Sequence, residues 1–217
     1  MTMPLVIIPA RLKSERLANK PLQLIGSDPL IVHCWRRAME ADIGPVWVAG
    51  DSPAIAEVIR AQGGNAVVTG DAACGTDRVA MAARIVDPSG KHSAILNQQG
   101  DMPFLNPEHL RTFARGLAKM TEMATAYVDL KLVSIVGADF KRQTLRSHVG
   151  LYGFTRPGLE RFNILGPSLR EESERLEQLR AVGVLAIDFI ELPHMPMEVN
   201  TLEDLAAAQQ IYSLSKA

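Results

Sequence analysis

Four short apolar runs, set at regular intervals in the first half of the chain, constrain its fold more than any other feature. Leu5 to Ile8, Pro45 to Ala49, Asn65 to Val68 and Ser93 to Asn97 are too short for helices and mostly rich in Val and Ile. Between them lie amphipathic segments, Pro29 to Ala41, Ala54 to Ala61 and Asp77 to Ile85. Strands alternating with helices of about ten residues predict βαβ units. The expected class is therefore α/β, with a mostly parallel, doubly wound sheet.

Local signals set the boundaries. Pro9 has no N–H to donate and is expected to end the first strand. Ser27 or Asp28, with Pro29 in the first turn, opens the first helix. Ser52-Pro53 opens the second and Gly63-Gly64 stops it, and Asn106-Pro107-Glu108 caps a further helix running to Ala118. The second half is less regular. Ala124 to Leu130, Val149 to Phe154 and Leu185 to Glu191 read as strands, with Gly150 and Gly153 as bulges or points of close approach. Glu171 to Val182 reads as a charged helix, and Thr201 to Asp204 opens the last helix with a capping-box-like pair. Gly137 to Ser147, rich in charge, is the expected mobile connection. All of this fits one domain of 217 residues without an internal repeat or low-complexity linker.

Composition argues against several function classes. A formal net charge of −1 gives no support for a nucleic-acid or anionic-membrane surface. Cys34 and Cys74 stand apart, with no C-x-x-C and no His cluster, which argues against a disulfide framework or a zinc site. No apolar run approaches ~20 residues, and the first strand begins too early to leave room for a signal peptide. A cytoplasmic protein is expected.

The cations matter by clustering. The loop after the first strand holds Arg11, Lys13, Arg16 and Lys20 against Glu15. A basic loop at the C-terminal end of a parallel strand is where α/β folds bind ligands. Its charge points to a polyanion, most simply a nucleotide triphosphate. Asn97-Gln98-Gln99-Gly100-Asp101-Met102-Pro103 follows the fourth strand. Asp101 there is either a solvated turn residue or a carboxylate for Mg²⁺ held on nucleotide phosphates, with Gly100 allowing close backbone approach. Cys74-Gly75-Thr76-Asp77-Arg78 is either a helix N-terminus for an anion or for base and ribose hydroxyls, or only a capped turn. The charges of residues 171–182, taken alone, describe a solvated helix laced by pairs such as Glu171–Arg175.

These segments resemble the sugar-acid cytidylyltransferases, and most of all the 3-deoxy-manno-octulosonate (Kdo) cytidylyltransferase family. Ile7-Ile8-Pro9-Ala10-Arg11, Ser14, Arg16-Leu17 and Lys20-Pro21-Leu22 resemble its opening motif. Residues 97–103 resemble its N-x-Q-G-D-x-P signature. Residues 74–78 resemble its S-G-T-E-R segment, with Cys74 and Asp77 in place of the serine and glutamate. His148-Val149-Gly150-Leu151-Tyr152-Gly153-Phe154 resembles its H-x-G-I-Y-G-Y strand, and Glu171, Glu174 and Leu176 to Arg180 resemble its L-E-x-x-E-x-L-E-Q-L-R helix. The match runs from Val6 to roughly Leu205.

The resemblance implies a single nucleotidyltransferase-like domain over 1–217. About 1–120 would be the nucleotide-binding part, and about 121–217 the sugar-binding part, with room for homodimer contacts. The implied reaction joins CMP from CTP to a 3-deoxy-2-ulosonic sugar-acid with release of pyrophosphate, for lipopolysaccharide or cell-surface sugar biosynthesis, with Mg²⁺ as cofactor. The alternatives are another acceptor, such as a sialic-acid-like sugar or a smaller alcohol, and a weakly active nucleotide-binding homologue. Carried over by position, Ala10, Arg11, Lys20, Gly75, Thr76 and Arg78 contact the nucleotide. Arg16, Gln99, His148, Tyr152, Glu177 and Gln178 hold the sugar-acid. Asp101 and Asn200 hold the metal, and Arg11, Lys20 and Asp101 form the catalytic set.

Two departures fall at the implied site. The family's S-R-x-x-I-P segment, which helps bind the sugar-acid, has no counterpart before His148, leaving Arg142 and Arg146 as candidates to replace its arginine. Val199-Asn200-Thr201-Leu202-Glu203-Asp204-Leu205 resembles V-D-T-P-E-D-L, whose first Asp is a metal ligand, so Asn200 removes one negative charge there. His33, His92, His109 and His194 lack metal-like spacing and are assigned structural or solvated roles, and Trp35, Trp47 and Cys34 are assigned to packing.

Overall fold

Alternate residues of the first strand face opposite sides of a sheet, and both sides are covered. In β1 (Leu5–Ala10), Val6, Ile8 and Ala10 join one apolar cluster while Leu5 and Ile7 join another. Burial on both faces explains why the run reads as continuously apolar. The computed structural model describes residues 3–14, 16–136 and 139–216. Across the seven-stranded sheet the order is β5 (Asn65–Val68), β4 (Val46–Gly50), β1, β6 (Ala94–Gln98), β8 (Asp139–Thr155), β7 (Met123–Val136) and β9 (Ile187–Glu191). The sheet is mostly parallel: β8 alone runs antiparallel to its neighbours. A two-stranded hairpin, β2 (Leu24–Ile25) with β3 (Asp28–Pro29), stands apart.

One face carries α1 (Leu30–Ala41), α2 (Pro53–Ala61) and α4 (Pro107–Leu117); the other carries α3 (Gly75–Val86) and α5 (Arg156–Leu165). A third cluster packs Leu205 and Ala208 of α7 (Leu202–Leu214) against Leu17, Ile25, Leu30 and Cys34, fastening the C-terminal helix over the loop after β1.

Several expected boundaries are confirmed. Asn65–Val68 is a strand, Ser52 and Asn106 cap their helices, and the capping box at Thr201 and Asp204 is complete. Gly153 is a point of close approach, because a Cβ there would lie 2.1 Å from Leu117 Cδ2. Gly150 falls in a bulge: Thr125 pairs Tyr152, whereas the next residue, Ala126, pairs Val149.

Other expectations are corrected. Pro9 lies within β1 and does not end it. The Val6 N–H donates toward β4, so by alternation the Pro9 nitrogen faces β6, where pairing stops at Ile7 opposite Asn97. No ladder bond is lost. Neither Ser27 nor Asp28 caps α1; its N-cap is Pro29, and Asp28 instead pairs with Arg36 at 2.7 Å. Helix α5 was not expected, although Thr155 caps it and Pro157 sits in its first turn. Most of the expected mobile connection is strand: β7 and β8 pair residue by residue from Ala126 opposite Val149 to Val136 opposite Asp139. Gly137 and Ala138 lie outside the described residues.

The expected helix over Glu171 to Val182 is broken. Helix α6 spans only Leu169–Glu174, Arg175 turns left-handed at φ 55°, and a 3₁₀ turn covers Glu177–Arg180. Its charges are not all solvated either, since Glu171 and Arg180 are buried.

Candidate active site

From β1 the chain moves outward to β4 and β5, then returns to place β6 on the other side of β1. Such a reversal opens a crevice at the C-terminal strand ends, where α/β sheets bind ligands. A cleft of about 990 Å³ lies there. Of the expected site residues, Ala10, Arg11, Arg16, Lys20, Gly75, Arg78, Gln99, Asp101, His148, Tyr152, Glu177, Gln178 and Asn200 all line it. Thr76 does not: it is 1% exposed and lies beneath the wall.

Lys20 reaches the crevice from a 3₁₀ turn, Lys20–Leu22, set by a left-handed Asn19 at φ 50° and by Pro21. Its Nζ lies 2.8 Å from Asp101 Oδ2 and 3.0 Å from Asn200 Oδ1. The residue expected on the phosphates thus joins the two expected on the metal. Asp101 follows β6 through Gly100, where a Cβ would lie 2.8 Å from the Pro9 carbonyl oxygen. Only a glycine lets the two strand ends approach so closely. The Asp101 carbonyl accepts from the Val199 N–H at 2.9 Å, docking residues 198–200 against the β6 end. Asp204 steadies that segment by accepting from the N–H groups of Asn200 and Thr201, both at 2.9 Å, and these bonds hold its carboxyl below the usual range.

Two features distinguish this corner. Asp101 Oδ1 is buried and has no hydrogen-bond partner among the described residues. Glu198 also lines the cleft and accepts from Asn200 Nδ2 at 3.2 Å; burial and then the charge of Asp101 push its carboxyl up. Glu198 was not among the expected residues, although it stands only two positions before Asn200.

On the opposite wall the 3₁₀ turn presents Glu177 and Gln178. The Glu177 carboxylate accepts from the Thr76 N–H and from Thr76 Oγ1, each at 3.0 Å. Helix α3 begins earlier than expected, at Gly75, which places Thr76 in its first turn facing that carboxylate. Tyr152 donates its hydroxyl to Gln178 Oε1 at 3.0 Å, and the His148 ring stacks on Tyr152 with centroids 5.5 Å apart. Burial lowers the His148 pKa, favouring a neutral imidazole.

Cys74 and Asp77, the two replacements in this segment, bond each other; Cys74 lines the cleft, whereas Asp77 is buried behind it. Cys74 Sγ accepts from the Asp77 N–H, while the Asp77 carboxylate pairs with Arg180. Arg78, 4% exposed, is fastened to Thr69 Oγ1 at 2.6 Å. Of the two candidates to replace the missing arginine, Arg146 stands over the Tyr127 ring and pairs with Asp129 away from the cleft. The Arg142 side chain lies outside what the structure describes. His33 has the structural role expected, with Nε2 2.8 Å from the Ile25 carbonyl, and Cys34 is fully buried. No helix among the described residues is long and apolar enough to cross a membrane.

Residues 5–138 match the family model described as cytidylyltransferase. A relative from Methylorubrum extorquens (strain PA1), 3-deoxy-manno-octulosonate cytidylyltransferase, is 39% identical over all of this chain and 99% of its own length. The protein of the same name from Parvibaculum lavamentivorans is 42% identical over 95% of this chain and 91% of its own. A solved structure of CMP:2-keto-3-deoxy-manno-octonic acid synthetase complexed with CTP superposes with a TM-score of 0.85 at 27% identity, covering 99% of this chain and 100% of the other. The fold and the family model together define a nucleotidyltransferase of the cytidylyl-transferring class. The chain belongs to the 3-deoxy-manno-octulosonate cytidylyltransferase family.

Proposed function

We propose that this protein transfers the cytidylyl group of CTP to the anomeric hydroxyl of a 3-deoxy-2-ulosonic acid, Kdo in the first instance, for cell-surface sugar biosynthesis. The hydroxyl oxygen attacks the α-phosphorus and gives up its proton to solvent water, the bond from that phosphorus to the bridging oxygen breaks, and pyrophosphate leaves. The single observation that carries this is the meeting of Lys20, Asp101 and Asn200 at the crevice where β1 and β6 part, beneath a cationic loop. Family membership and the CTP complex of the superposed structure support the nucleotide class.

In this reading Arg11 and Lys20 bind the triphosphate, with Ala10, Gly75 and Arg78 shaping the nucleotide wall. Glu177, Gln178, Tyr152, His148, Gln99 and Arg16 hold the sugar-acid across the cleft. Apart from Arg16 and Gln99, the part up to about residue 120 serves the nucleotide and the remainder the acceptor. Rate enhancement comes from holding the acceptor oxygen in line with the α-phosphorus and from fixed charges aimed at the phosphates. The orphaned Asp101 Oδ1 and the Asn200 amide oxygen fit a hard divalent cation, Mg²⁺ in this reading. When bound, the ion would neutralise phosphate charge.

Pyrophosphate release, measured with CTP, Mg²⁺ and a panel of Kdo, sialic-acid-like sugars and small alcohols, tests the proposal. Release with Kdo above all other acceptors supports it. Release only with a different acceptor reassigns the substrate, and CTP binding without release from any acceptor makes the protein a binder.

A further inference from the structure

Asp101 is the one carboxylate in the trio with Lys20 and Asn200. Among the protein's own groups, a divalent cation held there would stand with the Lys20 ammonium against a single negative charge. Glu198 lies on the far side of the same amide. Asn200 presents Oδ1 to Lys20 at 3.0 Å and Nδ2 to Glu198 Oε2 at 3.2 Å, so one short side chain connects the Lys20–Asp101 pair to a second carboxylate. Glu198 lines the cleft together with Lys20, Asp101 and Asn200. Its position is fixed by the Val199 N–H bond to the Asp101 carbonyl at 2.9 Å, which ties its immediate neighbour to the β6 end.

We propose that Glu198 supplies the second carboxylate of the divalent-cation site, working with Asp101 where residue 200 contributes only a neutral amide. Two carboxylates facing one dication and one ammonium bring the local charge nearer to balance, and affinity for hard cations rises with the number of charged ligands. The carboxylate that residue 200 lacks is thus provided two positions earlier in the same segment. This rests on the divalent-cation part of the proposed function.

Mn²⁺ binding in the presence of CTP, followed by the electron paramagnetic resonance signal of the free ion, tests it without acceptor or turnover. Glu198→Gln keeps an acceptor for Asn200 Nδ2 but removes the charge. It should weaken Mn²⁺ by about tenfold or more while leaving the melting midpoint of the metal-free protein in place. The double variant E198Q/N200D, which moves the carboxylate to residue 200, should return the affinity to within about threefold of the parent. Equal affinity of parent and E198Q overturns the proposal and leaves the transferase function standing. A parent that binds no Mn²⁺ with CTP removes the cation site itself. Should E198Q fail to fold, the single variant N200D decides: a gain of less than about threefold is expected where two carboxylates are already present, and a tenfold gain overturns the proposal.

Discussion

Arg180 and Asp77 meet across 103 positions of sequence, with Nη1 2.7 Å from Oδ1 in a buried pocket. The same guanidinium grips Glu171 through Nε and Nη2, both at 2.8 Å, and lies 4.6 Å over the centroid of the Phe162 ring. The 3₁₀ turn carrying Glu177 and Gln178 is thereby locked onto the start of α3. Because two carboxylates would be left buried without their cation, Arg180→Met should cost about 3–5 kcal/mol of stability. Under the proposed function the KM for the sugar-acid should rise more than that for CTP, since the turn that loosens carries Glu177 and Gln178. Urea unfolding and steady-state kinetics measure the two effects, and an unchanged midpoint would refute the clamp.

Arg11 and Lys20 are assigned to the triphosphate from their place on the loop after β1. Each alanine substitution should weaken CTP by roughly 1.5–3 kcal/mol, the scale of a charge-assisted hydrogen bond. Calorimetric titration with CTP, in the absence of acceptor, reads this directly. Two variants that bind CTP like the parent would place the phosphates elsewhere.

Asp101→Asn keeps the shape of the side chain and a hydrogen-bonding oxygen for Lys20 but removes the negative charge. Metal-dependent turnover should be lost while the melting temperature stays nearly unchanged, because the Lys20–Asp101 pair is partly solvated, at 18% and 19% side-chain exposure. Activity titrated against Mg²⁺ checks it; parent-like turnover at limiting Mg²⁺ would contradict the assignment.

Asp87 gives the protein an acid-sensitive fastening. Burial pushes its carboxyl up, but the N–H groups of His92 and Lys91 and the Arg156 guanidinium outweigh that and hold it below the usual range. A carboxyl held low in the folded state adds stability at pH values above its unfolded pKa, and that stability is lost as pH falls through the folded value. The stability difference between the parent and Asp87→Asn should therefore be full near neutral pH and shrink steadily in acid. A difference independent of pH would show that Asp87 acts by shape alone.

Sequence by itself determined the parts of this protein that neighbouring residues decide. Asn65 to Val68 became a strand, and Ser52, Asn106 and Thr201 capped their helices, because apolar runs and caps act within one turn or one strand. The motif residues Lys20, Asp101 and Asn200 were also legible one by one. Their assembly was not: Lys20 touches Asp101 across 81 positions and Asn200 across 180. Glu198 acquires its significance only from the fold that seats it beside them. The segment from Glu171 to Val182 shows the same division. Its local pattern favours one solvated helix, yet Arg180 is drawn inward to Asp77, and the chain breaks at a left-handed Arg175 to allow it. A buried ion pair between distant residues outweighs local helix preference once the low-dielectric interior strengthens it, and only the tertiary structure supplies that interior.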